Sequence, residues 1–245
     1  MPPDLTQVRR AMGHAIKWHT YLTISVDVVL ADPEDNGPPN AMRLWLQDEE
    51  GDMVQGFAWA GPNVDLKSDS AYVLCAASFS TRPLQVLVNH PVCARLIPED
   101  YDGTDPEAEM LPWAAPHVNG IGVVERVNAD RTQARICGLV YFGQDQKWLR
   151  YDLDLELDAA TNQYPATMMP RPFSTVTFDA VLTKMQQDGV PQGRLLRIAQ
   201  LQPAHSLLLT ELDLVRNNAG NVRAELAAAR QQKDKRKVDE MLAEA

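Results

Sequence analysis

Apolar and polar positions alternate over most of the chain ahead of Ser206, the period of strands with one face buried. Met42, Leu44 and Leu46 interleave with Arg43, Trp45 and Gln47. The run breaks at Gln47-Asp48-Glu49-Glu50-Gly51-Asp52, where consecutive acids and a glycine suit a tight turn. It resumes as Met53 to Trp59, so the two runs predict a hairpin. Tyr21 to Leu30, Ala71 to Phe79 and, after a Ser80-Thr81-Arg82-Pro83 corner, Leu84 to Asn89 add three strands. Residues 20–97 are therefore expected to close a small five-stranded barrel.

A second block gives about the same count: Val118 to Val127, Thr132 to Phe142, Leu149 to Leu157, Thr175 to Leu182 and Arg194 to Leu201. Leu149, Tyr151, Leu153, Leu155 and Leu157 alternate with Arg150, Asp152, Asp154, Glu156 and Asp158, which predicts one buried face and one wet, negative face. Gly120 and Gly122 lack the third glycine and following helix of a dinucleotide site, so they read as strand glycines relieving crowding in a coiled strand. A second barrel over 118–204 is the first choice, with a diverged β-sandwich as its alternative.

Between the blocks, 98–117 carries four prolines, Pro98, Pro106, Pro112 and Pro116, and one large apolar anchor, Trp113, among clustered acids, and reads as an interdomain linker. From Ser206 the period changes: Leu208, Leu212, Val215, Val222, Leu226, Val238 and Leu242 follow helical spacing, interrupted near Asn217 to Asn221. Residues 205–245 are expected to be helical, and 1–19 to form an arm or short helix. The class predicted is mainly β: two five-stranded barrels in tandem with a C-terminal α-helix.

Charge changes this picture more than composition does. The formal charge of -10 opposes a protein whose whole surface attracts nucleic acid. Yet 17 of the 33 acids fall in three clusters, 32–52, 99–109 and 152–158, with Arg43 their only base. The segment from His205 onward carries seven of each sign, which leaves 15 bases against nine acids elsewhere and room for a basic groove. No apolar run is long enough to cross a bilayer as a helix, and Met1-Pro2-Pro3-Asp4 does not begin a signal peptide, so an intracellular protein is expected. Cys75, Cys93 and Cys137 are odd in number and sit in apolar segments, which predicts buried free thiols in a reducing compartment.

Strand, acidic glycine turn, strand ending in an aromatic, spacer and two further strands together resemble the DNA-binding OB-folds of replication protein A, the eukaryotic single-strand-binding protein. Gln47 to Asp52 followed by Phe57-Ala58-Trp59 is the most similar part. The resemblance implies two OB-like barrels, nuclear localisation, single-stranded nucleic acid as ligand, and assembly through the C-terminal helix. Trp59 lies near that family's stacking aromatic on the third strand, whereas Leu84 stands where its second stacking aromatic would be.

Single-strand binding needs aromatic faces for bases and nearby cations for phosphate. Trp45, out of phase with Leu44 and Leu46, and Trp59 are the platform candidates of the first barrel, with Arg43 and Arg82 as phosphate contacts. Lys147, Trp148 and Arg150 form the comparable cluster of the second. The alternative function is an OB-type scaffold that recruits protein partners, or copies of itself, through acidic loops and the C-terminal helix. No P-loop, nucleophile elbow, zincin helix or paired-cysteine zinc set is present, so a non-catalytic protein without metal or cofactor is expected.

Overall fold

In a computed structural model of the chain, the described residues are 18–33, 38, 40–97, 115–142, 147–157, 169–185 and 189–214. The expected N-terminal arm, nearly all of the linker and the C-terminal helix beyond residue 214 lie outside them. Eleven strands form: β1 (Tyr21–Ala31), β2 (Met42–Gln47), β3 (Met53–Ala60), β4 (Ser70–Thr81), β5 (Leu84–Val88), β6 (Ala94–Leu96), β7 (His117–Val127), β8 (Gln133–Phe142), β9 (Lys147–Leu157), β10 (Ser174–Lys184) and β11 (Gln192–Pro203). Among the described residues one short helix, α1 (Ser206–Glu211), follows. His90-Pro91-Val92-Cys93 makes a 3-10 turn over Pro91–Cys93 capped by the His90 ring.

The first five strands close a ring. β1 pairs antiparallel with β2 and β4, β2 with β3, and β4 with β5, while β3 and β5 run parallel. Leu22, Ile24, Leu44, Leu46, Phe79 and Val86 fill the interior of this OB-like barrel, and none of their surface reaches solvent. β7 to β11 repeat the pattern: β7 with β8 and β10, β8 with β9, β10 with β11, and β9 parallel to β11.

The two sets do not stand apart as a tandem joined only by a connector. Tyr21 to Ser25 pair with Ile121 to His117, so all eleven strands belong to one continuous sheet. Strand length explains the difference. β1 has 11 residues, and its pairing with β2 uses only Val28 to Ala31, which leaves the edge of its first half open to β7. Alternation fixes which face is buried and says nothing about which strand lies alongside. The eleven strands belong to one compact unit and α1 to another.

Two threonine hydroxyls complete the join. Thr81 Oγ1 accepts from the Asp152 amide at 3.0 Å and donates to the Asp152 carbonyl at 3.4 Å. Thr20 Oγ1 does the same at Leu139, accepting at 3.0 Å and donating at 2.7 Å. Each hydroxyl thus stands in for a neighbouring strand's peptide and satisfies two main-chain groups of the second set.

Glycine serves the second set as the sequence suggests. A Cβ at Gly122 would meet Ile136 and the Tyr151 hydroxyl at 2.7 Å, and one at Gly138 would meet the Tyr151 hydroxyl at 2.5 Å. Tyr151 occupies that space fully buried, donating to the Ile121 carbonyl at 2.6 Å.

Candidate nucleic-acid interface

On β2 the core residues Leu44 and Leu46 point inward, so strand alternation turns Arg43, Trp45 and Gln47 outward. The barrel's register sets two rows across this outer face. Trp45 lies opposite Val29 on β1 and Gln55 on β3; Arg43 lies opposite Ala31 and Phe57, and Phe57 opposite Gln85 on β5. Trp45 and Phe57 are therefore diagonal neighbours, about 7–8 Å apart along the backbone and within reach of one another's rings. Trp45 is half-buried and lies outside the hydrophobic core, and Val29 beside it is 46% exposed. The Arg43 guanidinium donates to the Asp32 carbonyl at 2.8 Å, which leans it along the β1–β2 side of the face.

Trp59 does not belong to this face. It is 7% exposed within the hydrophobic core, and its buried indole N–H has no hydrogen-bond partner among the described residues. Phe57, two residues earlier and partly packed on the core, is the aromatic that the outer face presents. The sequence signal that distinguishes them is register: Phe57 falls opposite Arg43, whereas Trp59 lies beyond the end of β2 and pairs with Leu87 of β5.

Arg82 projects from the β4–β5 corner, half exposed, with the Asp152 carboxylate 3.5 Å away. Its neighbours open a cleft of about 560 Å³ lined by Gln55, Gly56, Phe57, Thr81, Arg82, Pro83, Leu84 and Gly189. This cleft adjoins the Trp45 face at Gln55 and Phe57 and reaches Gly189 of the second set.

The wet acidic face expected on β9 is not found at Asp152, which is 2% exposed. The β4–β5 corner of the first barrel lies over it, and two arginines offset its charge. Arg150 binds the Asp152 carboxylate through Nε at 3.1 Å and Nη2 at 2.8 Å, and reaches Glu125 at 3.6 Å. The second-block candidates are thus divided. Arg150 is committed to this buried network; Trp148 packs its ring on Tyr141 with centroids 5.3 Å apart, and Lys147 is exposed at the start of β9. Farther along, Asp154 is held by Arg135 through two hydrogen bonds, of 2.8 and 2.5 Å.

Glu125, Cys137 and Asp152 place ligand atoms within 4.8 Å of one another. The Arg150 guanidinium already bridges the two carboxylates, and burial pushes the Cys137 thiol up to about 12. The thiol donates to the Val123 carbonyl at 3.7 Å. The arrangement is an ion network, not a fitted cation site. Of the other cysteines, Cys93 is half-buried and Cys75 is exposed, contrary to the expectation of buried thiols. Cys75 sits at a bulge, where β4 slips against β1 and Ala76 takes φ 52°, so the pleat turns it outward.

No protein-family model and no curated protein matches the chain. Among solved structures it is similar to the p204 HINb domain, at 8% identity over 74% of this chain and 98% of that one, with a TM-score of 0.23. It is also similar to a structure described as "Structural mimicry for functional antagonism", at 9% identity over 73% of this chain and 92% of that one, with a TM-score of 0.21. Scores this low carry no argument, and the functional reading rests on the chain's own residues.

Proposed function

We propose that the protein is a non-catalytic OB-type protein of two fused barrels that binds single-stranded nucleic acid on the outer face of β1, β2 and β3. The observation that carries this is the pairing of Trp45 and Phe57 with Arg43 on one face, in the register of the strands. Flat rings take bases of any sequence, at about 1–3 kcal/mol per stacked base. Arg43 and Arg82 supply phosphate contacts at its margins, and Gln47, Gln55 and Gln85 supply amides that suit base edges or sugar hydroxyls. The acids nearest in sequence are drawn away from this face. Glu49 and Glu50 of the β2–β3 turn pair with Arg194 at 2.5 Å and Lys184 at 2.9 Å, and the Asp48 carboxylate accepts from the Met185 amide. An overall negative charge is therefore compatible with a local site of the opposite character.

Fluorescence anisotropy with a labelled single-stranded oligonucleotide tests the reading. Trp45→Ala is expected to weaken binding by about tenfold while leaving the melting temperature unchanged, since the indole lies outside the core. With two arginines engaged, log affinity should fall against log salt with a slope of about -1.4. Binding that ignores salt, or equal affinity for Trp45→Ala, overturns the proposal.

A further inference from the structure

The cleft beside the aromatic face has a chemistry of its own. β3 and β5 pair from Phe57 and Gln85 onward, and the residues just before that pair, Gly56 and Leu84, stay in close contact. Gly56 lies where a Cβ would meet Leu84 Cδ2 at 2.1 Å and the Leu84 carbonyl at 2.7 Å, so only glycine lets the Leu84 side chain close the cleft floor. Phe57, Pro83 and Leu84 make an apolar wall; Gln55 brings an amide and Arg82 a guanidinium to its rim, and among the described residues no carboxylate lines it. Its volume of about 560 Å³ falls within the roughly 300–1,000 Å³ of small-ligand clefts.

A second cleft among the described residues is different. Arg126 and Arg135 there face Asp154 and Glu156 with no aromatic in the lining, so its charges balance and nothing in it favours an anion or a ring.

We infer that the cleft between β3, the β4–β5 corner and Gly189 holds one nucleotide of the bound strand, its base against Phe57 and Leu84 and its phosphate at Arg82. A flat ring, a polar edge and an attached anion match the apolar wall, the amide and the guanidinium in turn. Asp152, itself buried on the second set, holds Arg82 from behind, so the first barrel's phosphate contact is placed by the second. The site is then complete only with both sets of strands present. This rests on the single-strand reading and adds to it a discrete pocket at the end of the stacking face.

The test combines a blocked cleft with oligonucleotides shortened one nucleotide at a time. Gly189 lines the cleft from the side of the second set, so Gly189→Trp would fill it from there. Wild-type affinity is expected to drop about tenfold at the one shortening that empties the cleft, the cost of a lost stacked base. Gly189→Trp should bind the long oligonucleotide only as tightly as the shortened one, with an unchanged melting temperature. Arg82→Gln provides a second reading, a salt slope lower in magnitude by about 0.7. Full affinity in Gly189→Trp together with an unchanged slope in Arg82→Gln overturns the cleft while Trp45→Ala still reports on the face. No binding by the wild-type chain overturns both.

Discussion

Thr81 and Thr20 show how much one hydroxyl can hold. Each serves as both donor and acceptor to the main chain of a different strand, in places closed to water. Valine has the same shape and would strand two buried peptide groups at once, so Thr81→Val is expected to cost about 1–3 kcal/mol for each group left unpaired. Thr81→Ser keeps the hydroxyl and should cost far less. Urea titrations of the two variants decide the matter, and equal midpoints would show the hydroxyl to be idle. Cys137 makes a pH prediction. Burial raises its thiol from the ordinary 9.0 to about 12, so the fold favours the neutral form. That contribution is complete below pH 9 and is lost as pH rises toward 12, at about 1.4 kcal/mol per unit for one proton. Burial raises the Tyr151 hydroxyl in the same direction. Stability measured at pH 8 and pH 10.5 should therefore fall in the wild type, and fall less in Cys137→Ala.

At the scale of elements, the β2–β3 turn is the instructive case. Its acids and glycine read in the sequence as a tight turn, and the turn is present: the Gly51 amide donates to the Asp48 carbonyl, and Gly51 takes φ 92°. The acids are not all solvated. Asp48 is 1% exposed, and its carboxylate accepts from the Asp52 and Met185 amides, each at 2.9 Å. Asp48→Ala should therefore destabilise the fold by about 1–3 kcal/mol, by the cost of orphaned buried donors. Glu50 pairs with Lys184 in the open, and Glu50→Gln should leave the melting temperature nearly unchanged. Thermal melts of the two variants separate a buried clamp from a surface ion pair. If the two variants melt alike, the clamp carries no weight.

For the whole molecule the consequence is cooperativity. The continuous sheet, the two threonine bridges and the acidic turn all tie the first set of strands to the second. Cutting the chain after residue 97 would leave the first half of β1 without its β7 partner and Asp48 without the Met185 amide. Unfolding followed by tryptophan fluorescence and by far-ultraviolet circular dichroism should give coincident midpoints. Two resolved transitions would mean that the sets fold independently. The same union bears on binding, because Arg82 and its counter-ion Asp152 come from different sets.

The strands themselves were legible in the sequence, since alternation is a local property: Leu44 and Leu46 go in, so Arg43 and Trp45 go out, whatever the neighbours are. The acidic turn, the strand glycines and the outward Trp45 follow from residues within a few positions of one another. Partners are not local. That β1 reaches β7, that Trp59 is roofed over while Phe57 is not, and that Asp152 meets Arg82 and Arg150 instead of water were all decided by which surfaces came together. A two-residue period fixes the side a residue faces; only the packed structure determines what lies against that side, because pairing and coverage join positions as many as 145 residues apart, as between Glu49 and Arg194.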